Sequence, residues 1–91
     1  MTVDVCGIPY KLEEIEPNSR ADTFMGRSDS AMNVITLNSC MPQAQKEQTL
    51  IHEWLHSVLD NYCMQETNNE NLVQTLASEL YRNGYRVKVS E

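Results

Sequence analysis

Nowhere in the chain does an apolar run approach the ~20 residues that a membrane-spanning helix needs, so no helical span is expected. The opening Met1-Thr2-Val3-Asp4-Val5 lacks the basic start and long apolar segment of a secretion signal, which makes a soluble, cytoplasmic protein the expectation. Basic residues are scarce. Seven Lys and Arg stand against 13 Asp and Glu, for a formal charge of −6, the wrong sign for a chain that must neutralise phosphates. Nucleic acid is therefore not an expected ligand. Cysteine is limited to Cys6, Cys40 and Cys63, an odd number without a C-x-x-C pair. This excludes a closed disulfide framework and predicts reduced, half-buried thiols. Their spacing selects none of them as a metal ligand or as a shield over one. Repeats and low-complexity segments are also absent. At 91 residues the chain has room for one domain, 1–91, with a modest core and no second lobe to form a cleft. A substrate would have to lie across an open groove.

Residues 1–38 carry the period-2 signals of strands. Val3 and Val5 alternate with polar neighbours, Cys6-Gly7 offers a tight reversal, and Ile8, Tyr10 and Leu12 alternate with Pro9 and Lys11. A hairpin ending near Ile15 follows. Pro9 restricts its strand to a sheet edge or a strand start. Glu16 to Ser19 reads as a loop and Thr23-Phe24-Met25 as a short extended piece, before Gly26 and the turn-rich Ser28-Asp29-Ser30. A further strand is predicted over Met32 to Asn38 from Val34, Ile35 and Leu37.

From Pro42 the period becomes 3.6. Pro42 suits the first turn of a helix over 42–62, Ser39 is a nearby capping candidate, and Leu50, Ile51, Trp54, Leu55, Val58 and Leu59 form one stripe. Trp54 and Leu55 read as core anchors. The polar stretch Asn61 to Asn69 ends that helix. A second helix over 67–83 carries Leu72, Val73, Leu76, Ala77, Leu80 and Tyr81 and stops at Asn83-Gly84. The tail, 85–91, alternates and is open to a strand or a loose end.

The chemistry is concentrated in His52-Glu53-Trp54-Leu55-His56, which is H-E-x-x-H within the first helix and contains both histidines of the chain. Residues four apart project about 40° from each other around a helix, so both imidazoles can share one zinc ion at roughly 2.0–2.1 Å. Glu53 then stands beside a water that zinc activates near neutral pH, as general base for attack on a carbonyl carbon. A short motif also arises by chance, with both histidines as solvated residues on the flank of an amphipathic helix.

Catalytic zinc usually takes three protein ligands and keeps one position open. The long H-E-x-x-H-x-x-G-x-x-H form would place its glycine and third histidine at Leu59 and Tyr62, and neither residue fits. The remaining donors are Glu66, Glu70 and Glu79. Glu66 precedes the second helix, and Glu79 lies toward its far end. Glu70 sits in the first turn, where packing of the two helices can bring it over the histidines. Thr67-x-x-Glu70 is also a capping box, in which this glutamate would only cap the helix. Tyr62, Tyr81 and Tyr85 are candidates to assist an oxyanion, and packing is the alternative role for each.

The order of hairpin, strand, Gln48-Thr49-Leu50-Ile51-His52-Glu53-Trp54-Leu55-His56 and then Glu70-Asn71-Leu72-Val73-Gln74-Thr75-Leu76-Ala77-Ser78-Glu79-Leu80-Tyr81 resembles the small zincin-like metallopeptidases of phages and mobile elements, relatives of the ImmA/IrrE peptidase group. The resemblance covers roughly residues 1–83, and its specific content lies in the two helical motifs. It implies an α+β fold, a small twisted antiparallel sheet packed on two helices. It assigns zinc to His52, His56 and Glu70 and the general base to Glu53. It also implies an edge strand, placed at Asn33 to Asn38, that pairs with an extended peptide by strand addition. The expected activity is hydrolysis of peptide bonds in a peptide or protein substrate. The alternative is a zinc-stabilised module that binds a peptide or protein without cutting it.

Overall fold

The structure is a computed structural model that describes residues 1–17 and 24–91. The fold is α+β. Four strands, β1 (Thr2–Val5), β2 (Ile8–Ile15), β3 (Gly26–Asp29) and β4 (Val34–Asn38), precede helix α1 (Gln43–Asn61), a 3₁₀ turn (Gln65–Asn68), helix α2 (Glu70–Arg82) and a short strand β5 (Val89–Ser90). The expected loop at Glu16 to Ser19 and the extended piece at Thr23 fall partly outside the described residues.

The β1–β2 hairpin turns on Cys6 and Gly7, both at positive φ (54° and 85°), the signature of a tight type I′ reversal whose twist matches that of the flanking strands. Its register sets Val3 opposite Tyr10 and Val5 opposite Ile8. Alternation then places Val3, Val5, Tyr10 and Leu12 on one buried face. Pro9 lies near the start of β2, beyond the stretch from Lys11 to Ile15 that pairs with β4, so its missing N–H breaks no ladder on that side.

The sheet has the order β3-β4-β2-β1-β5. Three of its ladders are antiparallel and β2 with β4 is parallel, so the sheet is mixed where an antiparallel one was expected, because the chain returns to β2 only after passing through β3. The chain leaves β2, runs to the rim as β3, reverses at Ser30 to Asn33 and returns as β4 between β3 and β2. Asp29 holds that reversal by accepting from the N–H groups of Ala31 and Met32, each at 3.0 Å. Asn33 at φ 56° ends it, which is why β4 starts at Val34 and not at Met32. One expectation is corrected here: 33–38 is not an edge. β4 is interior, and among the described residues the outermost strands are β3 and β5.

Helix α1 lies across one face of the sheet. Leu50 joins Val3, Val5, Tyr10, Leu12, Ile35 and Leu37 in the core, with Met41, Trp54, Val58 and Val87 packed around it. Trp54 anchors the helix by its indole N–H, which donates to the Asp4 carbonyl at 2.9 Å. Pro42 is the residue before the helix, and no side chain caps that end; the Ser39 N–H instead donates to the Ile15 carbonyl. Tyr10 is fully buried, and its hydroxyl accepts from Asn61 Nδ2 at 2.7 Å. Helix α2 packs on α1 and on the 3₁₀ turn and touches no strand among the described residues. It buries Val73 and Ala77, while Leu72 and Leu76 of the expected stripe face solvent. The tail adds β5 beside β1. All three cysteines are free and exposed, in contrast to the half-buried thiols expected. No helix among the described residues is long and apolar enough to cross a membrane.

Candidate metal centre

Helix α1 presents His52 and His56 one turn apart toward the start of α2. Their Nε2 atoms lie 3.2 Å from each other. Glu70, the first residue of α2, reaches both: Oε2 is 3.2 Å from His52 Nε2 and Oε1 is 2.9 Å from His56 Nε2. Among the described residues this is the one group of three His, Cys, Asp or Glu side chains arranged to hold a metal ion. Donors bound tetrahedrally at about 2.0–2.1 Å lie about 3.3–3.4 Å apart, so the observed separations are close to those of donors around one ion. Two imidazoles and a carboxylate also form a donor set that suits zinc, though not zinc alone. The residues therefore fit the metal the motif implies.

The capping alternative for Glu70 does not form. Asn69 is the N-cap of α2, its side chain accepting from the Leu72 N–H at 3.0 Å, and Thr67 lies in the preceding 3₁₀ turn. Glu70 is thus a first-turn residue with its carboxylate free for the histidines, where the positive end of the helix also favours its charge. Glu66 and Glu79 stand outside the cluster, and Glu79 pairs with Arg82 at 3.5 Å. No cysteine belongs to it.

Glu53 turns toward β3 and is 8% exposed. Burial pushes its carboxyl up to about 7, with His52 pulling it down and Glu70 adding a further push upward. The cause of that burial is Gly26. A Cβ at this position would stand 2.8 Å from Thr49 Cγ2, 3.1 Å from Glu53 Cγ and 3.3 Å from Glu53 Oε2, so only glycine lets the β3 backbone lie directly on α1. In the sequence Gly26 reads merely as a turn marker.

Glu53, the two histidines and Glu70 line a groove of about 610 Å³ whose opposite wall is Met25 and Gly26 at the start of β3. The histidines are mostly covered, at 15% and 12% side-chain exposure, whereas Glu70 is 69% exposed. The site is therefore open on the α2 side. Tyr62, Tyr81 and Tyr85 do not line this groove; Tyr81 stacks on Arg86 and Tyr85 lies against Trp54.

Two polar residues absent from the sequence-level assignment complete the surroundings. Gln74 Oε1 lies 2.9 Å from His52 Nδ1, and Thr67 Oγ1 lies 3.1 Å from His56 Nδ1. Gln74 is one helical turn beyond Glu70, a spacing that would have signalled a shared face. Comparisons with family models, curated proteins and solved structures return no match for this chain.

Proposed function

We propose that this chain is a zinc-dependent metallopeptidase that acts on a peptide or protein substrate in the cytoplasm, as its resemblance to the ImmA/IrrE group implies. The observation that carries this reading is the convergence of His52, His56 and Glu70 in a groove that Glu53 also lines. When bound, zinc supplies Lewis acidity that activates water near neutral pH and stabilises negative charge on a carbonyl oxygen. Glu53 takes the proton from the attacking water and passes it to the leaving amine. A base is most effective when its pKa lies near the working pH, and burial moves Glu53 in that direction. Gly26 keeps strand β3 against Glu53 and excludes bulk water from that side. Met25 and Gly26, at the start of the rim strand β3, form the opposite wall, which is where an extended peptide would lie alongside the sheet.

The openness of the site supports a second reading. With Glu70 69% exposed, the groove suits a zinc-stabilised module that holds a peptide or protein without cleaving it.

Metal content of the purified protein, followed by Glu53→Gln and Glu70→Gln, tests both readings. The wild type is expected to load zinc near pH 7.5. Glu70→Gln should weaken zinc by more than the roughly 10–100-fold typical of changes around a metal site. Glu53→Gln should retain the metal and lose hydrolysis by ~10²–10⁴-fold. Failure to load zinc would overturn both readings. Undiminished turnover by Glu53→Gln would overturn the mechanism, and partner binding without cleavage by the wild type would favour the module.

A further inference from the structure

An imidazole can offer a lone pair at Nε2 only if its proton, when the ring is neutral, sits on Nδ1. In isolation the two tautomers compete, and the wrong one would aim an N–H at the metal position. What faces each nitrogen decides between them: without metal, Glu70 Oε2 lies 3.2 Å from His52 Nε2 and draws the proton there, so the ligating tautomer needs an acceptor of its own at Nδ1.

At His52 that partner comes from the other helix. Gln74 projects from α2, and its Oε1 lies 2.9 Å from His52 Nδ1. Its amide nitrogen donates to Ser78 Oγ at 3.2 Å. Ser78 in turn accepts from Gln48 Nε2 at 2.8 Å, and Gln48 stands one turn before His52 on α1. Both glutamines thus point their NH₂ groups at the one hydroxyl. With its donors committed there, Gln74 presents only a carbonyl oxygen to His52, and a carbonyl can meet only an N–H. The chain Gln48–Ser78–Gln74–His52 closes a polar loop between α1 and α2 above Ile51, Val73 and Ala77, the apolar residues the two helices bury.

We propose that Gln74, oriented by Ser78 and Gln48, is the positioning residue of the metal centre: it holds His52 as the Nδ1–H tautomer, with the Nε2 lone pair directed at His56 and Glu70. The inference rests on the metal-site reading above and deepens it. Gln74 lines the same groove, but its contact with the candidate ligands is to His52 Nδ1, so it acts on the metal position through His52. It also makes zinc affinity depend on the docking of α2, which supplies Gln74 as well as Glu70.

Long-range ¹H–¹⁵N spectra of the metal-free protein read the tautomer directly at a pH where both rings are neutral, in a Glu70→Ala background that removes the competing acceptor at Nε2. In that background His52 is expected as Nδ1–H with Gln74 in place and with Gln74→Glu, whose carboxylate also accepts. Gln74→Met, which keeps the length and removes the acceptor, should move His52 toward Nε2–H. Gln74 is exposed on α2, so this change leaves the core intact. Zinc affinity by chelator competition is the second measurement: Gln74→Met should bind roughly 10–100-fold more weakly, Gln74→Glu at least as tightly as wild type, and Ser78→Ala in between. An Nε2–H His52 in the Glu70→Ala background with Gln74 intact overturns the proposal, as does Gln74→Met that changes neither the tautomer in that background nor the zinc affinity of the protein with Glu70. If no variant binds zinc, the metallopeptidase reading fails, and the spectra still decide the role of Gln74.

Discussion

Burial holds the Glu53 carboxyl near 7, well above its ordinary 4.5, and this links stability to pH in the metal-free protein. A raised pKa means that the folded state binds the proton more tightly than the unfolded state. The contribution is complete below pH 4.5 and is lost as pH rises through about 7. Urea unfolding in the presence of a chelator, wild type against Glu53→Gln, isolates this group because the other titrating residues are common to both. Across that window wild type should lose roughly 1–3 kcal/mol relative to Glu53→Gln, in line with ~1.4 kcal/mol per pKa unit. Parallel stability curves would show that the carboxyl is not desolvated by β3. H-E-x-x-H singles out Glu53 as the candidate base, but its burial depends on Gly26, 27 residues earlier in the sequence.

Both main helices end in the same backbone motif, built on different residues. In α2 the Gly84 N–H donates to Tyr81 and the Tyr85 N–H to Leu80, with Gly84 at φ 89°. In α1 the Cys63 N–H donates to Asp60 and the Met64 N–H to Leu59, with Cys63 at φ 55°. Each is a Schellman closure, which needs a left-handed residue after the helix. Glycine takes that conformation without strain, whereas a side chain costs roughly 1–2 kcal/mol. Cys63→Gly should therefore stabilise the protein by about 0.5–1 kcal/mol, after the greater freedom of glycine in the unfolded chain is subtracted. Thermal or urea unfolding measures this directly, and a destabilised variant would mean that Cys63 makes a contact worth more than the strain. Asn83-Gly84 was recognisable as a stop because glycine signals it; the end of α1 was recognisable only as polar, since cysteine carries no such signal.

For the whole molecule, α2 is the more lightly held of the two main helices. It buries only Val73 and Ala77 and packs on α1 alone among the main elements. A metal ion joining His52 and His56 to Glu70 would fasten it. Because zinc would bind the folded site and not the unfolded chain, a 100-fold excess over Kd adds about 2.7 kcal/mol. For a domain of this size that corresponds to a rise in melting temperature of roughly 10–20 °C at pH 7.5. The rise should vanish on chelation and fade in acid, because a protonated imidazole cannot bind zinc. Equal melting temperatures with zinc and with chelator at pH 7.5 would mean that the metal is no part of this fold.

Local patterns determined much of this protein. Alternation of Val3, Val5, Tyr10 and Leu12 and the Cys6-Gly7 turn defined the hairpin, because side-chain period and turn geometry are properties of short segments. The four-residue spacing of His52 and His56 placed both rings on one face of a helix for the same reason. Relations between distant segments were decided by the tertiary structure. The path of β4 between β3 and β2 made β3 an outermost strand, since strand order depends on which strands bury their faces together. The packing of α2 on α1 brought Glu70, and not Glu66 or Glu79, to the histidines, and Asn69 took the cap expected of Thr67. It also brought Gln74 to His52 across 22 residues of chain. A partner that arrives through space leaves no periodicity in the sequence to mark it.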